Sequence, residues 1–260
     1  MSNDKPKKIE MTFLEAVNHM VAGHPQLLQP MQTMLSGRLG RNPFDVNFLY
    51  ELNRGLLARS KAQLRQDIFV LSELGFKREG FFVEFGAASG VDLSNSYLLE
   101  KDYGWRGILA EPARHWHAGL HKNRHCHIET DCVWRTSGER LVFNEVETAE
   151  LSTIETFNNS DGHSESRKKG KTYEVSTISL LDLLEKYQAP QHIDYLSIDT
   201  EGSEYDILSS FDFDRYDIKI ITCEHNYTPQ RAHIHALLTA AGYQRRLEQI
   251  SQFDDWYVRA

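Results

Sequence analysis

From position 81 onward, short apolar runs alternate with segments of helical periodicity, the pattern of a parallel sheet covered by helices on both faces. The spacing predicts parallel strands over 81–86, 107–111, 126–130, 193–199 and 218–224. After Gly242 the period changes: 243–250 and 253–259 alternate across Ser251-Gln252, as an antiparallel hairpin does. Two further strands, 141–146 and 173–178, flank a polar stretch over 158–170 with too little apolar content to hold itself in place. That stretch reads either as a substrate lid or as a solvated surface loop.

Ahead of this core, Phe13-Leu14, Val17, Phe48-Leu49, Leu52, Leu56-Leu57 and Leu64 recur at helical spacing, broken by Pro25, Pro30 and Pro43. The expected organisation is a helical N-terminal cap over 1–75 and a doubly wound, Rossmann-like α/β domain over 76–260, with a polar lid insertion near 150–172. The cap is a candidate cover for a cofactor, or a contact with a second copy in a homo-oligomer. Periodicity alone does not separate this fold from other open α/β sheets.

Composition narrows the partners. A formal net charge of −8 over 260 residues argues against a nucleic-acid backbone and for a small or neutral substrate. No apolar run approaches the roughly 20 residues of a membrane span, and the lysines at the start precede no signal-peptide core, so the chain reads as cytoplasmic. Cys126, Cys132 and Cys223 lack paired spacing and read as buried thiols rather than disulfides or a zinc site. His115, His117, His121, His125 and His127 crowd one stretch, but their spacing suits exposed histidines better than a metal site.

The first candidate chemistry lies where the strand over 81–86 meets a glycine turn, Glu84-Phe85-Gly86-Ala87-Ala88-Ser89-Gly90. A dinucleotide pyrophosphate calls for Gly-x-Gly-x-x-Gly, which is absent. A carboxylate two residues before Gly86 would repel a pyrophosphate and suits a ligand bearing an ammonium group, such as S-adenosylmethionine. Glu111, ending the next strand, stands where a carboxylate accepts hydrogen bonds from ribose hydroxyls. A plain strand-to-helix turn is the structural alternative.

A second constellation ends the last two parallel strands: Asp199-Thr200-Glu201-Gly202-Ser203-Glu204 and Glu224-His225-Asn226. Asp199, Glu201, Glu224 and Asn226 are candidate ligands for magnesium or a similar divalent cation that would lower the pKa of a bound hydroxyl. Alternatively His225, with Asp199, removes the proton directly. Side-chain alternation along a strand separates Glu224 and Asn226 from His225 unless the strand has ended. Ser203 reads as a helix N-cap, which assigns Glu204 to the helix dipole rather than to the site.

In combination, Phe82-Val83-Glu84-Phe85-Gly86-Ala87, Gly104-Trp105-Arg106-Gly107-Ile108, Glu111-Pro112, Asn123-Arg124, the run over 193–204 and Glu224-His225-Asn226 resemble the FkbM family of S-adenosylmethionine-dependent methyltransferases, from about Gln66 to the end. The resemblance implies a class I methyltransferase fold and methyl transfer to oxygen. It places Glu84, Gly86 and Ala87 near the methionine part of the cofactor, Glu111 on the ribose, and Asp131 and Cys132 at the adenine edge, with Gly90 counted among the cofactor-binding residues of the turn. Ser89 departs from the family, which often carries Asp there. The expected reaction is O-methylation of a sugar, glycosylated or secondary metabolite. An N-methyltransferase of a small amine and a silent cofactor-binding module are the alternatives.

Overall fold

The computed structural model describes residues 56–146, 152–157, 167, 168, 170–248 and 250–260. The helices expected before Leu56 and most of the expected lid lie outside these residues. Helix α1 (Gln66–Glu73) leads into β1 (Phe81–Phe85), α2 (Tyr97–Tyr103), β2 (Arg106–Ala110), α3 (Arg114–Asn123) and β3 (His127–Glu129). Next come β4 (Cys132–Trp134), β5 (Arg140–Glu145), β6 (Thr153–Ile154) and β7 (Lys171–Ser179). The chain then alternates through α4 (Leu180–Lys186), β8 (His192–Ile198), α5 (Glu204–Ser209), β9 (Asp217–Glu224) and α6 (Gln230–Ala240), and closes with β10 (Tyr243–Arg246) and β11 (Asp254–Arg259).

The large sheet has the order β10-β11-β9-β8-β1-β2-β3. Strands β3, β2, β1, β8 and β9 pair in parallel, and β11 runs antiparallel between β9 and β10. The expected hairpin is therefore present, joined by a longer loop than a Ser251-Gln252 turn. β1 is buried along its whole length, and its side chains alternate between two cores. Phe82 joins Phe69, Leu98, Leu120 and Trp256 on the face covered by α1, α2 and α3. Val83 and Phe85 join Leu183, Leu208 and Leu238 on the face covered by α4, α5 and α6. The result is a doubly wound, Rossmann-like sheet.

A second, smaller sheet has the order β4-β7-β5-β6. The antiparallel pairing of β5 with β7 matches the two strands expected around the polar stretch. β4 and β6, with three and two residues, are too short to leave a periodic signature and were not anticipated. This sheet packs Cys132, Trp134, Phe143 and Val175 against Ala113 just before α3. Among the described residues no helix is long and apolar enough to cross a membrane.

Candidate active site

A cavity of about 330 Å³ lies at the carboxyl ends of β1, β2, β8 and β9, where the chain, having run from β1 through β2 to β3, later crosses to β8 on the other side of β1. The small sheet supplies one wall through Val133, Phe143 and Ile154. The loop before β11 adds Phe253, because its antiparallel register sets Asp254 beside Glu224.

The glycine turn is shaped by protein neighbours. Gly86 has φ +71°, and a Cβ there would sit 1.8 Å from the carbonyl oxygen of Asp199. Gly90, at φ +72°, faces Leu120 and Arg124 of the α3 region and does not line the cavity, so its smallness serves helix packing and corrects the expected ligand contact. Ala87 is likewise buried in the core outside the lining.

Glu84 lines the cavity, yet its carboxylate is already engaged. Oε1 accepts from the Asn95 backbone N–H at 2.7 Å, while Oε2 accepts from Ser94 Oγ at 3.1 Å and from Ser96 Oγ. Arg124, fully buried, approaches Oε2 to 4.0 Å and donates to the Gly90 carbonyl at 3.1 Å, to Ser94 Oγ at 3.0 Å and to Ser96 Oγ at 2.8 Å. Asn123 donates to the Ser89 carbonyl at 2.9 Å. The Asn123-Arg124 pair thus holds the turn from behind, and Glu84 ties it to the following loop. Asn95, 6% exposed, reaches the lining and donates to Ser197 Oγ at 2.9 Å, whereas its Oδ1 is buried without a partner.

Glu111 sits at the mouth of β2 with each carboxylate oxygen accepting one backbone amide at 2.8 Å, from Ala88 and from Ala113. Burial pushes its pKa up to about 7 against the pull of those two amides. Each oxygen retains a lone pair, so the carboxylate is pinned in orientation and still able to accept from a ligand.

Beyond β8, Asp199, Glu201 and Glu224 place carboxylate oxygens within 4.8 Å of one another. Burial raises Asp199 to about 6 and drives Glu224 well above its ordinary value, and the two hydrogen-bond to each other, so the pair holds one proton between them. Glu201 adopts φ +59° and is met by Arg167, whose Nη2 donates to Oε2 at 2.8 Å. Ser203 precedes α5 but makes no side-chain cap. Glu204 instead folds back to accept from Thr200 N–H at 2.9 Å and Gly202 N–H at 3.1 Å, bracing the loop that carries Asp199 and Glu201.

The cavity therefore gathers Glu84, Gly86, Glu111, Cys132, Asp199, Glu201, Glu224 and Asn226 from among the expected residues. Asp131 and His225 are absent from its lining, as are Ala87 and Gly90. The His225 reading needs correction: the Tyr227 backbone N–H donates to Nδ1 at 3.0 Å, which leaves the proton on Nε2. That nitrogen faces Asp255 Oδ1 at 3.7 Å inside the protein, with only 1% of the side chain exposed. The strand has ended at Glu224, and the turn that follows, with Asn226 at φ +44° and Tyr227 at φ +56°, keeps the ring out of the cavity lining. The crowded histidines do not converge on a metal geometry: among the described residues the candidate cluster is Asp199, Glu201 and Glu224. Cys132 lines the cavity as a buried thiol, its pKa pushed to about 12 by burial. Sequence reasoning missed Asn95, Phe253 and Arg167. Phe253 was open to discovery, since an antiparallel strand beside β9 must begin at the site, but Arg167 had no signal beyond its membership of a basic run.

The chain shows likeness in structure to methyltransferase FkbM from Methylobacillus flagellatus KT, at 13% identity and TM-score 0.46, covering 91% of this chain and 60% of that one. It also shows likeness to precorrin-6y C5,15-methyltransferase from Geobacter metallireducens GS-15, at 12% identity and TM-score 0.38, covering 69% and 71%. This chain thus spans 60% of the length of the Methylobacillus protein. No curated protein matches it. The methyltransferase FkbM domain matches residues 84–245, from the carboxylate that anchors the glycine turn to the penultimate strand. With more than half of its residues matched, the chain belongs to the methyltransferase FkbM domain family.

Proposed function

We propose that this chain is an S-adenosylmethionine-dependent methyltransferase acting on a hydroxyl of a polar acceptor, a sugar or a glycosylated or secondary metabolite. The observation that carries the reading is a carboxyl pair, Asp199 and Glu224, facing a cavity with no lysine, arginine or histidine among its described lining residues. Such a lining favours a cationic ligand and disfavours a pyrophosphate. The residues fit the cofactor: Glu111 has free lone pairs for the ribose hydroxyls, the unpartnered Asn95 Oδ1 is an acceptor for the ammonium, and Val133, Phe143 and Ile154 form an apolar wall.

When bound, S-adenosylmethionine supplies an electrophilic methyl group on a sulfonium. The protein's tasks are to hold the acceptor oxygen in line, to take its proton and to exclude water. The Asp199 carboxylate takes the proton, and Glu224, hydrogen-bonded behind it, spreads the charge before and after transfer. Nucleophilic catalysis by the chain itself has no support, because the cavity's thiol is held protonated by burial.

A divalent cation is the second reading, favoured by the 4.8 Å convergence of Asp199, Glu201 and Glu224 with Asn226 beside them in the lining. It would bind the acceptor oxygen and make it more acidic. Calorimetric titration with S-adenosylhomocysteine, in EDTA and then with magnesium, tests both. Binding that Glu111→Ala weakens about tenfold or more supports the cofactor site. No binding by the wild-type chain in either condition sinks the methyltransferase reading. A magnesium heat that Asp199→Asn abolishes makes the acids ligands, and its absence removes the metal.

A further inference from the structure

We infer that Arg167 is a charge-setting and positioning residue of the methyl-donor site: by pairing with Glu201 it fixes how strongly the cavity prefers the positively charged donor to its neutral product. The inference rests on the donor site proposed above and goes beyond it in naming what tunes it. Arg167 contributes no atom to the cavity lining and its side chain is fully buried, so its role is exerted through Glu201.

The geometry is built around that contact. Arg167 Nη2 donates to Glu201 Oε2 at 2.8 Å, and Nη1 donates to the Phe157 carbonyl at 3.3 Å. The Arg167 carbonyl accepts from Asn144 Nδ2 at 2.9 Å, which anchors the residue to β5 of the small sheet. Gly170 packs so closely on Asn144 that a Cβ would fall 1.8 Å from Oδ1, so the chain after Arg167 is held against the same side chain. From the other side, Thr153 Oγ1 donates to the Glu201 carbonyl at 2.9 Å. Glu201, a non-glycine residue at φ +59°, is thus gripped at its backbone by β6 and at its carboxylate by Arg167. The small sheet holds one of the site's acids in place, and Arg167 sets a positive charge against it.

The consequence follows from the reaction. The donor carries a sulfonium charge that the product lacks, so every uncompensated carboxylate at the cavity favours donor over product. Glu201 faces a cavity of about 330 Å³, so any bound ligand lies within several ångströms of it. At that range one unit of charge changes the donor-to-product affinity ratio by about tenfold. A residue that merely stabilised the fold would weaken both ligands together and leave the ratio unmoved.

The test is calorimetry with S-adenosylmethionine and S-adenosylhomocysteine at pH 8 in EDTA, using the wild-type chain, Glu201→Gln, Arg167→Met and the double variant. Glu201→Gln removes one negative charge from the cavity wall beside the guanidinium and is expected to lower the ratio about tenfold. Arg167→Met is expected to raise it, and the double variant to return within about twofold of wild type. A Glu201→Gln ratio within about twofold of wild type overturns the inference, as does a double variant that fails to restore it. Loss of both ligands from the wild-type chain would instead refute the donor site itself. If Arg167→Met does not fold, the Glu201→Gln and double-variant comparison still decides.

Discussion

Replacing Gly86 by alanine separates the two reasons a glycine is needed at the head of the site. The first is conformational: at φ +71° a Cβ costs about 1 kcal/mol. The second is contact. The new Cβ would lie 1.8 Å from the Asp199 carbonyl oxygen and 3.0 Å from its carbon, so the ends of β1 and β8 must part by more than an ångström. Overlap of that kind in a packed interior adds about 1–3 kcal/mol, for a total near 2–4 kcal/mol. Gly75 provides the control, since it has φ +59° and nothing within 4 Å of a Cβ, so Gly75→Ala carries the conformational cost alone. Urea unfolding of the two variants measures the difference, and S-adenosylhomocysteine titration below the transition reports whether moving Asp199 damages the cavity. Expected are a larger stability loss for Gly86→Ala and an affinity loss of about tenfold or more in that variant alone. Equal stability losses in the two variants would refute the overlap argument.

Two further outcomes follow from buried polar groups. Burial raises Asp67 from its ordinary range to about 7, although Ser60 Oγ at 2.7 Å and the Ile68 N–H at 2.8 Å both donate to its Oδ1. The unfolded chain therefore loses that proton first as pH rises, and stability falls between about pH 4 and 7 by up to about 1.4 kcal/mol per unit. Denaturant titrations at both ends should show this fall diminished in Asp67→Asn, and an unchanged fall would count against it. Because His225 points away from the cavity, His225→Ala should keep S-adenosylhomocysteine affinity within about twofold while lowering stability by about 1–2 kcal/mol through the lost Tyr227 contact. A tenfold loss of affinity would return His225 to the site.

What was legible in the sequence follows from how each element is buried. β1, β8 and β9 are enclosed for most of their length and so read as apolar runs, and their ends announce Glu84, Asp199 and Glu224 directly. Residues whose roles depend on neighbours far along the chain were not legible. Arg167 gains its role from Glu201, 34 positions away, and Gly90 from Arg124. His225 was the instructive miss, because residue type suggested a base while the turn after β9 ties its ring to the Tyr227 N–H and sets it beside Asp255, away from the cavity.

β11 has a consequence for how the molecule comes into being. It is the latest of the described strands in chain order, yet it lies inside the sheet between β9 and β10. Its Asp254 accepts from Gln66 across 188 positions, and its Trp256 ring packs 4.7 Å from that of Phe69. A nascent chain still lacking these residues would have β9 as a bare edge, with Phe253 missing from the cavity and α1 deprived of its partner. Folding must therefore join segments far apart in the chain, which is intrinsically slow, and ligand binding becomes a sensitive reporter of whether β11 has docked.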